Sequence, residues 1–168
     1  MSKLLFNDPT VVNLVVQSLL GTDTPANSYT VVSNEWADGT RSDVVYAAEG
    51  KPTKIKPPVL IEFQKQVNYE FMGRVINYSL SAYCRYKIYP IILIFAIKGF
   101  SSAEVEEKFI VADEKPFLVI ESKFWAKKCF LVSSNSILEY IGKSPMDPME
   151  AMGYFLTSNA VSLTSLGY

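Results

Sequence analysis

Histidine is absent from all 168 residues of this chain. That absence removes Ser-His-Asp and Cys-His catalysis, HExxH zinc sites and any imidazole general base. Chemistry, where there is any, must run on carboxylates, lysine, tyrosine, serine or a metal held by carboxylates. Cysteine is nearly as scarce. Cys84 and Cys129 stand far apart with no CxxC spacing, which excludes a cysteine-zinc site and points to two free thiols in a reducing cell. Long apolar runs are also missing. The longest, Tyr89–Ile97 (YPIILIFAI), falls far short of the ~20 residues a membrane-spanning helix needs. The N-terminal MSKLLFNDPTVVNLVV lacks the uninterrupted apolar core and small-residue cleavage site of a signal peptide. The expectation is an intracellular protein, cytoplasmic or nuclear, with no membrane association.

What is present suits one folded domain over residues 1–168. Half the residues are apolar and a fifth are charged, so low-complexity disorder is not expected. The net charge of −1 argues against a uniformly basic nucleic-acid binder, yet the charge is unevenly spread. Residues 41–98 hold nine basic and four acidic side chains, whereas both flanking segments are net acidic. A phosphate backbone would dock on that positive middle third, although a solvated surface gives the same count.

Along the chain, Asp8-Pro9 followed by an apolar-periodic run predicts a helix from Pro9 to a stop at Gly21, with Leu14, Val15, Ser18 and Leu19 at helical spacing. Strands are predicted over Tyr29–Ser33, Arg41–Ala48 and Val59–Gln64, the first two separated by the Asp38-Gly39 turn signal. A long helix over Asn68–Tyr86 carries Phe71, Val75, Tyr78 and Ala82 on one face. Pro90–Ile97 is apolar on both faces and belongs in the middle of a covered sheet. Shorter strands at Phe109–Val111 and Phe117–Glu121 and late helices over Ser136–Ile141 and Pro148–Thr157 complete the reading. The fold class is α/β, a mixed central β-sheet flanked by helices around one core.

One feature of the third strand carries chemistry. Leu60, Glu62 and Gln64 share one face of it, and a carboxylate inside such a strand is costly to bury without compensation. Asp43 lies in the preceding strand among Val, Tyr and Ala. Two carboxylates from neighbouring strands can converge at one sheet edge, and a hard cation such as Mg²⁺ suits them. The plain alternatives are an Asp43 salt-bridged to Arg41 on the surface and a Glu62 exposed on an edge strand.

The blocks Arg41-Ser42-Asp43-Val44-Val45-Tyr46, Leu60-Ile61-Glu62-Phe63-Gln64, Arg74 with Tyr78, and Pro90–Ile94 resemble, in order and spacing, the transposase-like and recombination-promoting nuclease families of the PD-(D/E)XK superfamily. The resemblance covers about residues 29–98 and implies a restriction-endonuclease-like core. It implies a Mg²⁺- or Mn²⁺-dependent endonuclease that hydrolyses DNA phosphodiester bonds in transposition or recombination. Asp43, Glu62 and the Phe63 backbone carbonyl would hold the metal. Gln64 would replace the superfamily's lysine and orient the attacking water; it can neither take a proton nor supply a charge. Arg74 and Tyr78, at i and i+4, would meet the phosphate backbone, or would serve only helix packing. Lys51, Lys54 and Lys56 would touch DNA, or would merely keep a loop soluble. A homodimer is compatible with cutting both strands. The sequence departs from the pattern in its first helix, which offers only Asp8, read as a cap, and Gln17 where many members carry a metal-facing acid. That departure favours the alternative of a catalytically inactive nuclease-like fold kept for nucleic-acid or protein binding.

Overall fold

The computed structural model describes residues 2–112, 117–133 and 135–136. A short helix α1 (Ser2–Leu5) leads into α2 (Pro9–Leu20). The Asp8 carboxylate accepts from the Thr10 amide at 2.8 Å, Pro9 occupies the first turn, and Gly21 ends the helix at φ 113. The buried stripe of α2 is Val12, Val15, Val16 and Leu19. Val15 and Leu19 of the expected stripe belong to it, whereas Leu14 and Ser18 are only partly covered, so the buried face is turned by about a quarter of a turn.

Three strands follow: β1 (Tyr29–Val31), β2 (Val44–Ala48) and β3 (Val59–Gln64), paired antiparallel in sequence order. Helix α3 (Tyr69–Tyr86) then crosses to β4 (Ile91–Ala96), which lies parallel to β3. The Asn68 side chain caps α3 through the Phe71 amide at 2.8 Å, and Lys87 closes its C-terminus at φ 62. Beyond β4 come a one-turn helix α4 (Ala103–Glu106), then β5 (Ile110–Val111), β6 (Leu118–Ile120) and β7 (Lys128–Ser133). The sheet order is β1-β2-β3-β4-β7-β6-β5, with β4 and β7 parallel and the remaining outer pairs antiparallel. The molecule is thus α/β with a seven-stranded mixed sheet.

Helices cover both faces of the sheet. On one, Val12, Val15 and Val16 of α2 pack on Val44, Tyr46, Ile61, Leu93 and Phe95. On the other, Phe71, Val75 and Ala82 of α3 pack on Val45, Leu60, Ile92 and Ile94. All six residues of β4 are buried, as a doubly covered strand requires. Among the described residues no helix is long and apolar enough to cross a membrane.

Two expectations needed correction. The strand predicted from Arg41 begins only at Val44, because residues 35–41 close on themselves. The Trp36 amide donates to the Thr40 carbonyl at 2.8 Å, and Asp38-Gly39 turns the chain with Gly39 at φ 86. Strand β7, which seals the second edge of β4, was not expected. Its apolar core of four residues is too short to tell strand from helix by periodicity. The helices expected over Ser136–Ile141 and Pro148–Thr157 lie outside the described residues, apart from Ser136 itself.

Phe6 between the first two helices is fully buried, with ring centroids 5.2 Å from Phe63 and 5.5 Å from Phe95. Its carbonyl accepts the Tyr46 hydroxyl at 2.7 Å. Phe6→Ala should therefore lower the unfolding free energy by about 3–5 kcal/mol in denaturant titrations. A loss under about 1 kcal/mol would mean that the N-terminal segment is not part of the core.

Candidate active site

The β2–β3 register pairs Val44 with Ile61 and Val45 with Leu60. Asp43 immediately precedes β2 near Glu62, and the charges of both act on Tyr78 of α3. A hydrogen bond fixes the approach: the Phe63 amide donates to Asp43 Oδ2 at 2.7 Å. Asp43 thus sits where β2 begins, its carboxylate taking the place of a backbone acceptor for β3. Phe63 is held from the opposite face, its ring stacked on Phe95 at 5.4 Å and edge-on to Phe6. Because N–H and C=O of a strand residue point to the same side, the Phe63 carbonyl is directed toward the Asp43 side of β3.

Glu62 is 3% exposed, on a strand hydrogen-bonded along both edges, so the exposed edge-strand alternative fails. Arg41 pairs with Glu35 at 3.3 Å in an exposed ion pair of little energetic weight. The negative charge of Glu62 is felt by two neighbours, the buried Cys129 and the half-buried Tyr78. Burial, and then the Glu62 carboxylate, push the Cys129 thiol up, which keeps it protonated and inert. The Tyr78 phenol is also raised, first by burial, then by Glu62, with a smaller contribution from Asp43, while Arg74 opposes the shift through its charge and a hydrogen bond. Asp43, Glu62, Arg74 and Tyr78 therefore form one electrostatic neighbourhood under α3.

Gln64 lies on the same face of β3 as Glu62, two residues nearer the end of the strand, and its side-chain amide donates to the Gln66 carbonyl at 3.1 Å. Arg74 is exposed, 3.8 Å from Glu70 and 5.6 Å from the Phe71 ring centre. The three loop lysines do not join this group. Lys51, Lys54 and Lys56 occupy the β2–β3 connection, which lies at the other end of the hairpin, about 15–20 Å along the strands from Asp43 and Glu62.

The first helices contribute no acid. Asp8 is committed to its cap, and Gln17 donates to the Thr24 carbonyl at 3.2 Å. Asn7, which gave no signal in the sequence, instead joins Asp43, Val44, Ser33 and Asn34 around a cavity of about 270 Å³. Asn34 also steadies the approach to Asp43, donating to the Ser42 carbonyl at 2.9 Å. Among the described residues no group of three or more His, Cys, Asp or Glu side chains assembles. The donor set at this point is two carboxylates and a backbone carbonyl, all hard oxygen ligands of the kind Mg²⁺ accepts when it keeps several waters. Compared with known proteins, the chain matches no family model, no curated protein and no solved structure.

Tyr78 reports on this arrangement. Its phenol should titrate above the ordinary value near 10, and Glu62→Gln should bring it down by removing a negative neighbour. Because the folded state holds the phenol proton more tightly, Tyr78 favours the fold fully below pH 10, and that contribution is lost as pH rises through the raised value. Tyrosine Cζ NMR against pH measures both effects. A Tyr78 resonance indifferent to Glu62→Gln would separate the two side chains.

Proposed function

We propose that this chain is a metal-dependent endonuclease that hydrolyses DNA phosphodiester bonds, with a restriction-endonuclease-like core related to the transposase and recombination-promoting nucleases. The observation that carries the reading is the Phe63 amide bond to Asp43, which ties a second carboxylate to the neighbour of the 3%-exposed Glu62 near the C-terminal end of β3. The order of elements supports it: a helix, a three-stranded antiparallel meander, a crossover helix and a parallel fourth strand.

In this reading Asp43, Glu62 and the Phe63 carbonyl hold Mg²⁺ or Mn²⁺. The ion supplies Lewis acidity and an acidified bound water when present. The protein's own groups do the positioning. The Gln64 amide, next along the same strand face, orients the attacking water by hydrogen bonding without exchanging a proton. Arg74 presents a guanidinium to the backbone phosphate, and Tyr78 holds that guanidinium and limits water beside Glu62. The Asn7 side chain at the Asp43 cavity, in place of an acid, favours a second reading in which the same fold binds nucleic acid without cutting it.

Plasmid nicking separates the two readings. Supercoiled DNA should be nicked with Mg²⁺ or Mn²⁺, and Asp43→Asn, which keeps an acceptor for the Phe63 amide, should lose about a hundredfold or more. Nicking that survives both Asp43→Asn and Glu62→Gln would place the activity elsewhere, and DNA binding without nicking would establish the second reading. Metal binding has its own readout. Mn²⁺ should raise the melting temperature of the wild type by mass action and leave that of Glu62→Gln unchanged. Gln64→Ala should slow nicking while preserving the Mn²⁺-induced rise; parallel loss of both would contradict an orienting role.

A further inference from the structure

A larger cavity opens at the opposite end of the sheet. Its volume is about 600 Å³, within the range of small-molecule sites. Four lysines line it: Lys54 from the β2–β3 loop, Lys87 at the C-terminal cap of α3, and Lys123 and Lys127 from the turn before β7. No acidic side chain is among its lining residues. Two tyrosines complete the wall. The rings of Tyr83 and Tyr89 stack with centroids 4.3 Å apart and planes 22° apart, and Tyr83 is 38% exposed.

The wall is fixed by bonds that leave most of these charges outward. The Lys127 ammonium donates to the Lys54 carbonyl at 2.6 Å, which ties two loops together, and the Lys127 amide donates to the Pro90 carbonyl at 2.9 Å. Ser79 of α3 donates to the Trp125 carbonyl, anchoring the turn that carries Lys123. Lys54, Lys87 and Lys123 are exposed, and none of the four lysines joins a carboxylate in an ion pair among the described residues. One lysine at a helix C-terminus is ordinary, since it answers the helix dipole. Four lysines converging on one concave surface repel one another, and a multiply charged anion offsets that repulsion. A stacked aromatic pair with an open outer face offers a flat, sequence-tolerant seat for a base.

We propose that this cavity binds a nucleotide unit, its phosphates among Lys54, Lys87, Lys123 and Lys127 and its base against the Tyr83–Tyr89 stack. The unit is either a free nucleotide or one residue of a single strand. The site is independent of the carboxylate pair: Glu62 aligns with Ile94 of β4, about four residues from Pro90, so the two lie at different ends of the strands.

The test uses the full chain in metal-free buffer and three probes: pyrophosphate, ADP and a fluorescein-labelled twelve-residue oligothymidylate. ADP or the oligonucleotide should bind, and pyrophosphate should bind more weakly than ADP. The exposed double variant Lys54→Glu/Lys123→Glu should weaken binding about tenfold or more. Tyr83→Leu should weaken ADP or oligonucleotide binding about tenfold but leave pyrophosphate unchanged. Preference for ADP identifies a free nucleotide as occupant, and preference for the oligonucleotide identifies a strand. Asp43→Asn/Glu62→Gln should leave the pyrophosphate and ADP affinities unchanged, which separates this site from the nuclease reading. Absence of binding, binding indifferent to the lysine variant, or equal loss of pyrophosphate and ADP in Tyr83→Leu would overturn the proposal.

Discussion

The bond from the Phe63 amide to Asp43 does two things that no packing contact could do alone. It supplies an acceptor to β3 where β2 has not yet begun, and it holds a carboxylate beside Glu62. Strand periodicity then divides the work between the faces. Phe63 points into the aromatic group of Phe6 and Phe95, while Glu62 and Gln64 point toward α3. A register slip of one residue would drive Glu62 into that aromatic group and expose Phe63. The large apolar cost of such a slip is what fixes the position of the acids. The catalytic reading therefore rests on the side of the sheet away from the chemistry.

Placing Glu62 at 3% exposure beside a second acid works against stability. Like charges close together repel, and a carboxylate taken out of water loses hydration. Tyr78 and Cys129 are both driven toward their neutral, protonated forms by the same carboxylate. Arg74 opposes the trend only from an exposed position shared with Glu70. In the proposed reading a hard cation offsets the charge of the pair.

Much of this was legible beforehand because the signals were local. The Asp8-Pro9 cap, the Asp38-Gly39 turn and the alternation in Val59–Gln64 each act over a few residues, and each element formed where those residues required. The unpredicted parts depend on distant partners. Strand β7 exists because β4 needs a parallel neighbour on its second edge, and nothing in Lys128–Ser133 alone announces that. Asn7 reaches the Asp43 cavity only because Phe6 is locked between Phe63 and Phe95. Lys54 follows the Asp43 strand in sequence, but a hairpin sends its loop to the end opposite the start of its first strand.

That last point changes the meaning of the basic middle third. The excess positive charge over residues 41–98 is not one patch in space. Arg85 is consumed structurally, donating to the Ser33 and Glu35 carbonyls and lying 4.4 Å from the Trp36 ring centre. Arg41 is spent on Glu35. Of the cations nominated for phosphate contact, only Arg74 stands beside the carboxylates, while Lys54 and Lys87 meet Lys123 and Lys127 at the far end of the sheet. Steering of an anionic ligand follows the summed field rather than any single contact. The end that gathers these four lysines is therefore not the end with the acids.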